Sequence, residues 1–221
     1  MRVEVIPSEA LAARAAVWVA DRLWTAWSER GAAHFAVSGG TTPAAMFVAL
    51  AHLELPWSDL HVWQVDERVA PDGDADRNAG QLGPLRDAGA NVHLMPVTDP
   101  DLESAAIAYD GDLHVACRGV LDVVHLGLGD DGHTASWAPG DPVIAVESAD
   151  VAVTQAYKGR VRLTLTRPAV NRARAVAFLV AGAGKANALS RLLTDDPGIP
   201  ATAVRRDHAV CFTDPAAAGR P

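Results

Sequence analysis

Short apolar runs alternate with longer amphipathic stretches along most of this chain. The short runs predict buried strands and the amphipathic stretches predict helices, because side chains repeat every two residues in a strand and every 3.6 in a helix. Strands are expected at residues 3–6, 34–37, 60–65, 92–94, 123–126, 151–153, 161–166, 175–180 and 209–212. This alternation predicts an α/β fold with a doubly wound, mainly parallel sheet and helices on both faces. No repeat, low-complexity linker or change of composition interrupts it, so residues 1–221 are predicted to form a single domain.

Residues that favour helix ends mark the predicted helices. Ser8 is predicted to cap a helix that runs to about residue 29, since a serine hydroxyl accepts from unpaired amides at a helix start. Thr42 suits an N-cap and Pro43 the first helical position of the next helix. Further helices are predicted over 101–119 and from the turn at 182–185 to about residue 193.

Composition and charge narrow the range of partners. Hydrophobic residues make up 49% of the chain, which excludes a disordered protein and allows a sizeable core. The net charge of −8, without a long basic run, argues against nucleic-acid binding, so a small-molecule partner is expected. Cys117 and Cys211 have no metal spacing and fit a reducing compartment, and no apolar run suits a signal peptide or membrane span. A cytoplasmic protein without membrane association is predicted, as a monomer or small homo-oligomer.

The strongest candidate for chemistry is segment 127–136, Gly-Leu-Gly-Asp-Asp-Gly-His-Thr-Ala-Ser, called the central signature below. It follows the apolar run 123–126, and ligands of open α/β sheets bind at the carboxyl ends of strands. His133 suits the abstraction of a proton from water, because histidine titrates near neutral pH, and Asp131 suits its orientation. The glycines allow tight turns and backbone amides that could hold an oxyanion. The alternative interpretation is a glycine-rich turn whose polar residues only cap the following segment.

Three other strand ends carry candidate binding groups. The strand at 34–37 runs into Ser-Gly-Gly-Thr-Thr-Pro at 38–43, called the glycine loop below, and a helix amino terminus there suits a phosphate. Charged residues 66–68 follow another strand and are either site groups or a solvated loop. Lys185, one of two lysines, lies at a strand-to-helix turn, where its ammonium group suits a phosphate. For the glycine loop the alternative is an ordinary turn, and for Lys185 a solvent-exposed helix start.

No metal site is predicted. The acidic residues between Pro71 and Asn78 superficially suggest calcium, but the twelve-residue pattern of an EF-hand loop and its final Glu are absent. No set of His, Cys and carboxylate residues has recognisable ligand spacing.

Taken in order, these stretches resemble the 6-phosphogluconolactonases, within the larger group that also holds glucosamine-6-phosphate deaminases. The glycine loop resembles the family's phosphate loop, and residues 66–68 resemble its Asp-Glu-Arg element. The central signature matches the family's own signature motif along its whole length. Segments 162–166, 184–186 and 199–201, with Asn171, are similar to later elements. The matches run from about residue 38 to 201, so the resemblance implies the Rossmann-like, deaminase/isomerase-type fold over nearly the whole chain.

The resemblance implies hydrolysis of 6-phospho-D-glucono-1,5-lactone to 6-phospho-D-gluconate in the oxidative pentose phosphate pathway, with no cofactor. His133 is then expected to act as general base on water and to return the proton to the leaving ring oxygen, while Asp131 holds the imidazole. A covalent step at Ser136 is not expected, because the Gly-x-Ser-x-Gly elbow is absent. The backbone amides of 39–42 with Arg162 and Lys185 are expected to clamp the phosphate. The implied substrate-binding residues are Ser38, Gly39, Gly40, Thr41, Thr42, Asp66, Glu67, Arg68, Asn78, Gly132, Arg162 and Lys185.

Differences from the family patterns help to distinguish a lactonase from the other functions that this family of sequences allows. Arg77 stands where the lactonases usually have a Ser before the Asn at position 78, and Trp137-Ala138 replaces their common Leu-Phe. The deaminases carry a Glu of their proton relay at the position of Ala138, which cannot move protons. A deaminase or isomerase is therefore the weaker alternative. The other, a non-catalytic sugar-phosphate-binding regulator, is disfavoured by the intact Asp131 and His133 and by the lack of a helix-turn-helix segment.

Overall fold

A seven-stranded parallel sheet forms the centre of the fold. The computed structural model describes residues 1–219. The strands of this sheet are β1 Arg2–Val5, β2 Ala33–Val37, β3 Leu60–Gln64, β5 Asn91–His93, β6 Val123–Leu126, β9 Ala175–Val180 and β10 Ala209–Thr213. They lie in the order β1-β10-β9-β6-β2-β3-β5, and every neighbouring pair is parallel. The predicted doubly wound α/β fold is confirmed.

The order of the strands places a topological switch point between β2 and β6. From β2 the chain proceeds outward through β3 to β5, and from β6 it proceeds outward on the other side through β9 and β10. At such a point the loops after the two strands diverge and leave a crevice at their carboxyl ends. The glycine loop follows β2 and the central signature follows β6, so both open into this crevice.

Helices cover both faces of the sheet. They are α1 Ser8–Arg30, α2 Thr41–Ala51, α3 Gly83–Asp87, α4 Leu102–Cys117, α5 Arg167–Arg172 and α6 Ala186–Leu193. Successive residues of β6 enter different cores: Val123 packs with α1 and α2, whereas Val124 packs with α4 and α6. This alternation explains why the strands are continuous apolar runs, since both faces are buried. Within residues 1–219, no helix is both long and apolar enough to cross a bilayer.

A second, smaller sheet was not predicted. It contains β4 Asp66–Arg68, β8 Arg162–Leu165 and β7 Val151–Val153, in the order β4-β8-β7 with antiparallel pairing. The runs at 151–153 and 161–166 were correctly identified as strands, but residues 66–68 were expected to be loop. Leu163 and Leu165 are fully buried in the same core as the α4 face of the main sheet, which fixes the small sheet beside it.

Two predicted helix starts are wrong, the first by one residue and the second by two. Helix α1 begins at Ser8 itself, whose hydroxyl donates to Asp214 at 3.1 Å instead of capping its own helix. Helix α2 begins at Thr41, not after a Thr42 cap, because Gly40 takes a φ of 133° that only glycine adopts readily and turns the chain earlier. Thr41 and Thr42 therefore both lie in the first turn of α2.

Candidate active site

The switch-point crevice contains a cavity of about 220 Å³. Pockets for drug-sized ligands usually span roughly 300–1,000 Å³, so this one suits a compact ligand. Most predicted site residues line it: Ser38, Gly39, Gly40, Thr41, Thr42, Asp66, Arg68, Asn78, His133, Arg162 and Lys185. The fold thus brings together groups that lie far apart in the sequence.

The glycine loop is held against the loop that follows β4. A Cβ atom on Gly39 would lie 2.0 Å from Oδ1 of Asn78, so only glycine lets the two loops meet. The Gly40 amide donates to Oε1 of Gln81 at 2.8 Å, which removes it from the predicted phosphate clamp. Ser38 is buried, and its hydroxyl donates to the His125 carbonyl at 3.2 Å. The first amides of α2 have no intrahelical partner and remain suited to an anion.

Two arginines of the small sheet make one wall of the cavity positive. Arg68 and Arg162 face each other in register across β4 and β8, and both line the cavity. Each keeps a buried Nε without a hydrogen-bond partner among the described residues. Burial lowers the pKa of Arg162, and the charge of Arg68 adds to this effect. Because like charges opposite each other are unfavourable, the pair favours an anionic ligand.

A buried carboxylate and hydroxyl hold Arg162 in place. Ser136 donates to Oδ2 of Asp66 at 2.5 Å, and Nη1 of Arg162 donates to Oγ of Ser136 at 3.3 Å. All three residues are buried. The Asp66 carboxylate lies 3.9 Å from the same Nη1, so it balances the guanidinium charge without occupying all its donors. Ser136 therefore supports Arg162 and does not have the surroundings of a nucleophile.

Lys185 lies at the mouth of the cavity and pairs with Asp130. The ion pair joins the two strand ends, because Lys185 follows β9 and Asp130 belongs to the central signature. The hydrogen bond from Lys185 lowers the pKa of Asp130. Asp130 is largely exposed, so water screens this attraction and an incoming phosphate can compete for the ammonium group.

His133 and Asp131 form a close pair within the central signature. Nδ1 of His133 lies 2.6 Å from Oδ1 of Asp131, and the backbone amide of His133 donates to the same oxygen at 3.3 Å. Burial alone would raise the pKa of Asp131, but hydrogen bonds from Tyr157 and His133 lower it well below the ordinary range. An ionised Asp131 accepts a hydrogen bond from Nδ1–H of His133, which leaves the lone pair of Nε2 available to act as a base.

Glycines of the signature leave room for this pair. A Cβ atom on Gly129 would lie 1.9 Å from Nδ1 of His133 and 2.6 Å from Oδ1 of Asp131. Gly132 has a φ of +85°, and a Cβ there would lie 2.4 Å from the side chain of Ile199. The Gly132 carbonyl accepts from the amide of Ala201 at 3.0 Å, so segment 199–201 braces the signature.

Two residues predicted to bind substrate lie outside the cavity. Glu67 is fully buried, and its carboxylate accepts from the backbone amides of Arg68, Asn78 and Ala79 at 2.8 to 2.9 Å. It also lies 3.1 Å from Nε of Arg77. Glu67 therefore joins β4 to the following 3-10 helix and cannot reach a ligand. Gly132 serves the turn described above and does not line the cavity, and its role as a substrate contact stays a prediction.

Tyr157 is a site residue that the sequence analysis missed. Its hydroxyl donates to Oδ2 of Asp131 and lies 3.4 Å from Nδ1 of His133. The residue belongs to the hairpin between β7 and β8, where Lys158 and Gly159 both have positive φ. A Lys-Gly pair between two predicted strands was the available sign of a tight hairpin. No sequence feature near Tyr157 indicated that this hairpin contacts the central signature.

A parallel sheet with a cationic cavity and an imidazole–carboxylate pair at its switch point defines an enzyme site for an anionic small molecule. The family described as glucosamine-6-phosphate isomerases/6-phosphogluconolactonase matches residues 7–212. The chain belongs to this family.

Individual relatives agree with this assignment. The chain is 40% identical over 204 residues to a 6-phosphogluconolactonase of Synechocystis sp., covering 87% of this chain and 84% of the relative. It is 34% identical to a 6-phosphogluconolactonase of Nostoc sp., covering 98% and 96%. A crystal structure of a 6-phosphogluconolactonase from Shewanella baltica superposes with a TM-score of 0.88 at 26% identity, covering 97% of each chain. The resemblance inferred from the motifs is thus confirmed.

Proposed function

We propose that this enzyme hydrolyses 6-phospho-D-glucono-1,5-lactone to 6-phospho-D-gluconate, a step of the oxidative pentose phosphate pathway. The observation that carries the proposal is that one compact cavity is lined both by a set of anion-binding groups and by His133, whose imidazole pairs with Asp131. Relatives named 6-phosphogluconolactonase that match nearly the whole chain support the same reaction.

The phosphate binds between the glycine loop and the cations of the cavity. The free amides at the start of α2 supply donors and a partial positive charge, Arg162 supplies a planar fork, and Lys185 supplies a mobile point charge. These local groups explain how a protein with a net charge of −8 binds an anion. Asp66 and Asn78 line the part of the cavity beside Arg68, and we assign them to the sugar hydroxyls.

Hydrolysis proceeds by direct attack of water on the lactone carbonyl. Nε2 of His133 takes a proton from water as the oxygen bonds to carbonyl carbon, and Asp131 stabilises the imidazolium that forms. The bond from that carbon to the ring oxygen then breaks, and His133 returns the proton to the leaving oxygen. The carboxylic acid that forms then loses the second proton of the attacking water to solvent, which leaves a carboxylate and a free hydroxyl on the product and the enzyme restored. An ester of this kind is already electrophilic, so the scheme needs no cofactor.

Ala138 supports a lactonase over a deaminase. It is buried and lies outside the cavity, beside a separate pocket that contains Ile144 and Ile199. Trp137, next to it, is fully buried with its indole donating to the Leu165 carbonyl at 2.8 Å. Neither residue can supply the carboxylate that the deaminases use at this place in their signature.

The test is a coupled assay in which glucose-6-phosphate dehydrogenase makes the lactone in situ and a pH-stat follows proton release. The native protein is expected to accelerate hydrolysis well above the spontaneous rate, and His133→Ala to lose about 10²- to 10⁴-fold in kcat. A native protein that leaves the spontaneous rate unchanged would refute the lactonase. Full turnover by His133→Ala would refute the general-base role alone.

We also propose that the protein is cytoplasmic and consists of one domain over residues 1–221. Both cysteines are free thiols, which supports a reducing compartment. One hydrophobic core contains Leu163 of the small sheet and Val124 of the main sheet, which supports a single folding unit. Cell fractionation tests the compartment. Size-exclusion chromatography with light scattering tests the expected monomer or small homo-oligomer.

A further inference from the structure

We infer that Tyr157 is a positioning residue for the reaction, acting through Asp131 on the general base His133. This inference rests on the proposed function, since it deepens the account of the same site. Its basis is a chain of contacts from the Tyr157 hydroxyl through the Asp131 carboxylate to the His133 imidazole.

The two oxygens of Asp131 have separate partners. Oδ1 lies 2.6 Å from Nδ1 of His133, and Oδ2 accepts from the Tyr157 hydroxyl. With only the imidazole bound, this half-exposed carboxylate would be free to rotate toward water. A donor on the second oxygen fixes the plane of the carboxylate, and so fixes the direction in which His133 points its other nitrogen.

The hairpin that carries Tyr157 is rigidly built. Tyr157 and Arg160 exchange two backbone hydrogen bonds, of 2.9 and 3.2 Å, across the two-residue turn Lys158-Gly159. Positive φ at both turn residues matches the twist of the flanking strands. The guanidinium of Arg160 lies 3.3 Å from Asp74 and 3.0 Å from Asp76, which ties the hairpin to the loop after β4. Tyr157 is therefore held in place by its own tight turn and by the loop after β4.

The surroundings of Tyr157 keep its hydroxyl a donor. Partial burial and the hydrogen bond to Asp131 raise the pKa of Tyr157 to about 12. The Arg162 guanidinium, 5.4 Å from the ring centroid, opposes that rise, and the Lys158 ammonium lies 5.1 Å from the same centroid. The ring meets the His133 imidazole edge to face, with centroids 5.3 Å apart. At neutral pH the phenol is thus protonated, and it donates to Asp131 throughout the reaction.

Tyr157 also limits how strongly Asp131 attracts a proton on His133. A carboxylate that accepts a hydrogen bond from a phenol has less charge to stabilise an imidazolium. Besides Asp131 and Tyr157, the charged groups nearby are Asp130 with its partner Lys185, Lys158 and Arg162, and Tyr157→Phe leaves all of them in place. Loss of the hydroxyl should therefore keep the base protonated up to higher pH.

The test compares the pH profiles of native enzyme and Tyr157→Phe in the lactonase assay. We expect kcat to fall about tenfold with KM nearly unchanged, and the acidic limb of kcat/KM to move upward by roughly one pH unit. The matched control is Tyr109→Phe, which removes the only other tyrosine hydroxyl, a bridge from the Gln64 amide to the His93 carbonyl. It should leave the acidic limb in place.

A second measurement does not depend on deleting the hydroxyl. Biosynthetic 3-fluorotyrosine in the Tyr109→Phe background labels Tyr157 alone, and its more acidic phenol is a stronger donor. The acidic limb should then move to lower pH, opposite to the effect of Tyr157→Phe. A fall in kcat with no movement of the limb in either variant, or no change at all, would overturn the inference. A native enzyme without lactonase activity would instead overturn the proposed function.

Discussion

Substitution of Gly129 by alanine tests the placement of the general base without touching its chemistry. The added Cβ would lie 1.9 Å from Nδ1 and 2.2 Å from Cε1 of His133. Cβ atoms essentially never approach other heavy atoms more closely than 3.0 Å, so the imidazole must move away by at least 1.1 Å, the difference between 3.0 and 1.9 Å. The Oδ1 atom of Asp131, at 2.6 Å, must move as well.

A displacement of this size should affect kcat much more than KM. Misplacement of a catalytic group by about 1 Å costs on the order of 100-fold in rate, and we expect that loss of kcat for Gly129→Ala. The three atoms nearest to the added Cβ belong to His133 and Asp131, not to the cations or the glycine loop that bind phosphate, so KM should change less than about threefold. The coupled lactonase assay measures both constants.

The control is Gly111→Ala, on the exposed face of α4, where an added Cβ meets no atom within 4 Å. This variant should retain full activity and be slightly more stable, because alanine favours a helix. Circular dichroism and thermal unfolding establish that both variants fold. A folded Gly129→Ala protein with native kcat would refute the position assigned to His133.

Three further predictions concern charge and burial. Lys185→Gln should raise KM about tenfold with little change in kcat, because it removes a charge that binds the phosphate equally in the ground state and the transition state. An unchanged KM would show that Lys185 is not part of the phosphate site. Glu67→Gln should lower the free energy of unfolding in urea by about 2–3 kcal/mol, because a buried carboxylate that accepts from three amides is replaced by a weaker acceptor; native stability would contradict this role. His125 is fully buried with no hydrogen-bond partner for either ring nitrogen among residues 1–219, and burial lowers its pKa to about 3. The unfolded chain protonates His125 below about pH 6.5 and the folded protein does not, so the free energy of unfolding falls as pH drops through this range. Between pH 7 and 5, His125→Leu should therefore lose about 2 kcal/mol less of this free energy than native protein does. Equal losses would contradict the reasoning.

The main sheet could be predicted because its strands are buried on both faces. Segment 175–180 contains only apolar residues and forms β9 with every residue buried. The positions of the glycine loop and the central signature followed, since the carboxyl ends of neighbouring parallel strands meet at one edge. Helix starts were less well predicted, because the unusual φ of Gly40 depends on the contact of the glycine loop with Gln81.

The small sheet and the roles of its charged residues could not be read from local patterns. Residues 66–68 are all charged, which is typical of a loop, and they form a strand only because β8 pairs with them from far along the chain. Glu67 has the sequence appearance of a site residue, but amides from a neighbouring loop stabilise it in the interior. Tyr157 likewise reaches Asp131 only through the tertiary placement of its hairpin.

A crystal structure of the enzyme with 6-phospho-D-gluconate bound would test the central claim, that one cavity fixes the phosphate and presents the carbonyl carbon to His133. We expect the phosphate to lie between the glycine loop, Lys185 and Arg162, with Lys185 released from Asp130. We expect the product carboxylate beside Nε2 of His133. A phosphate seated against His133, or a carboxylate out of hydrogen-bond reach of that nitrogen, would overturn the proposed binding mode.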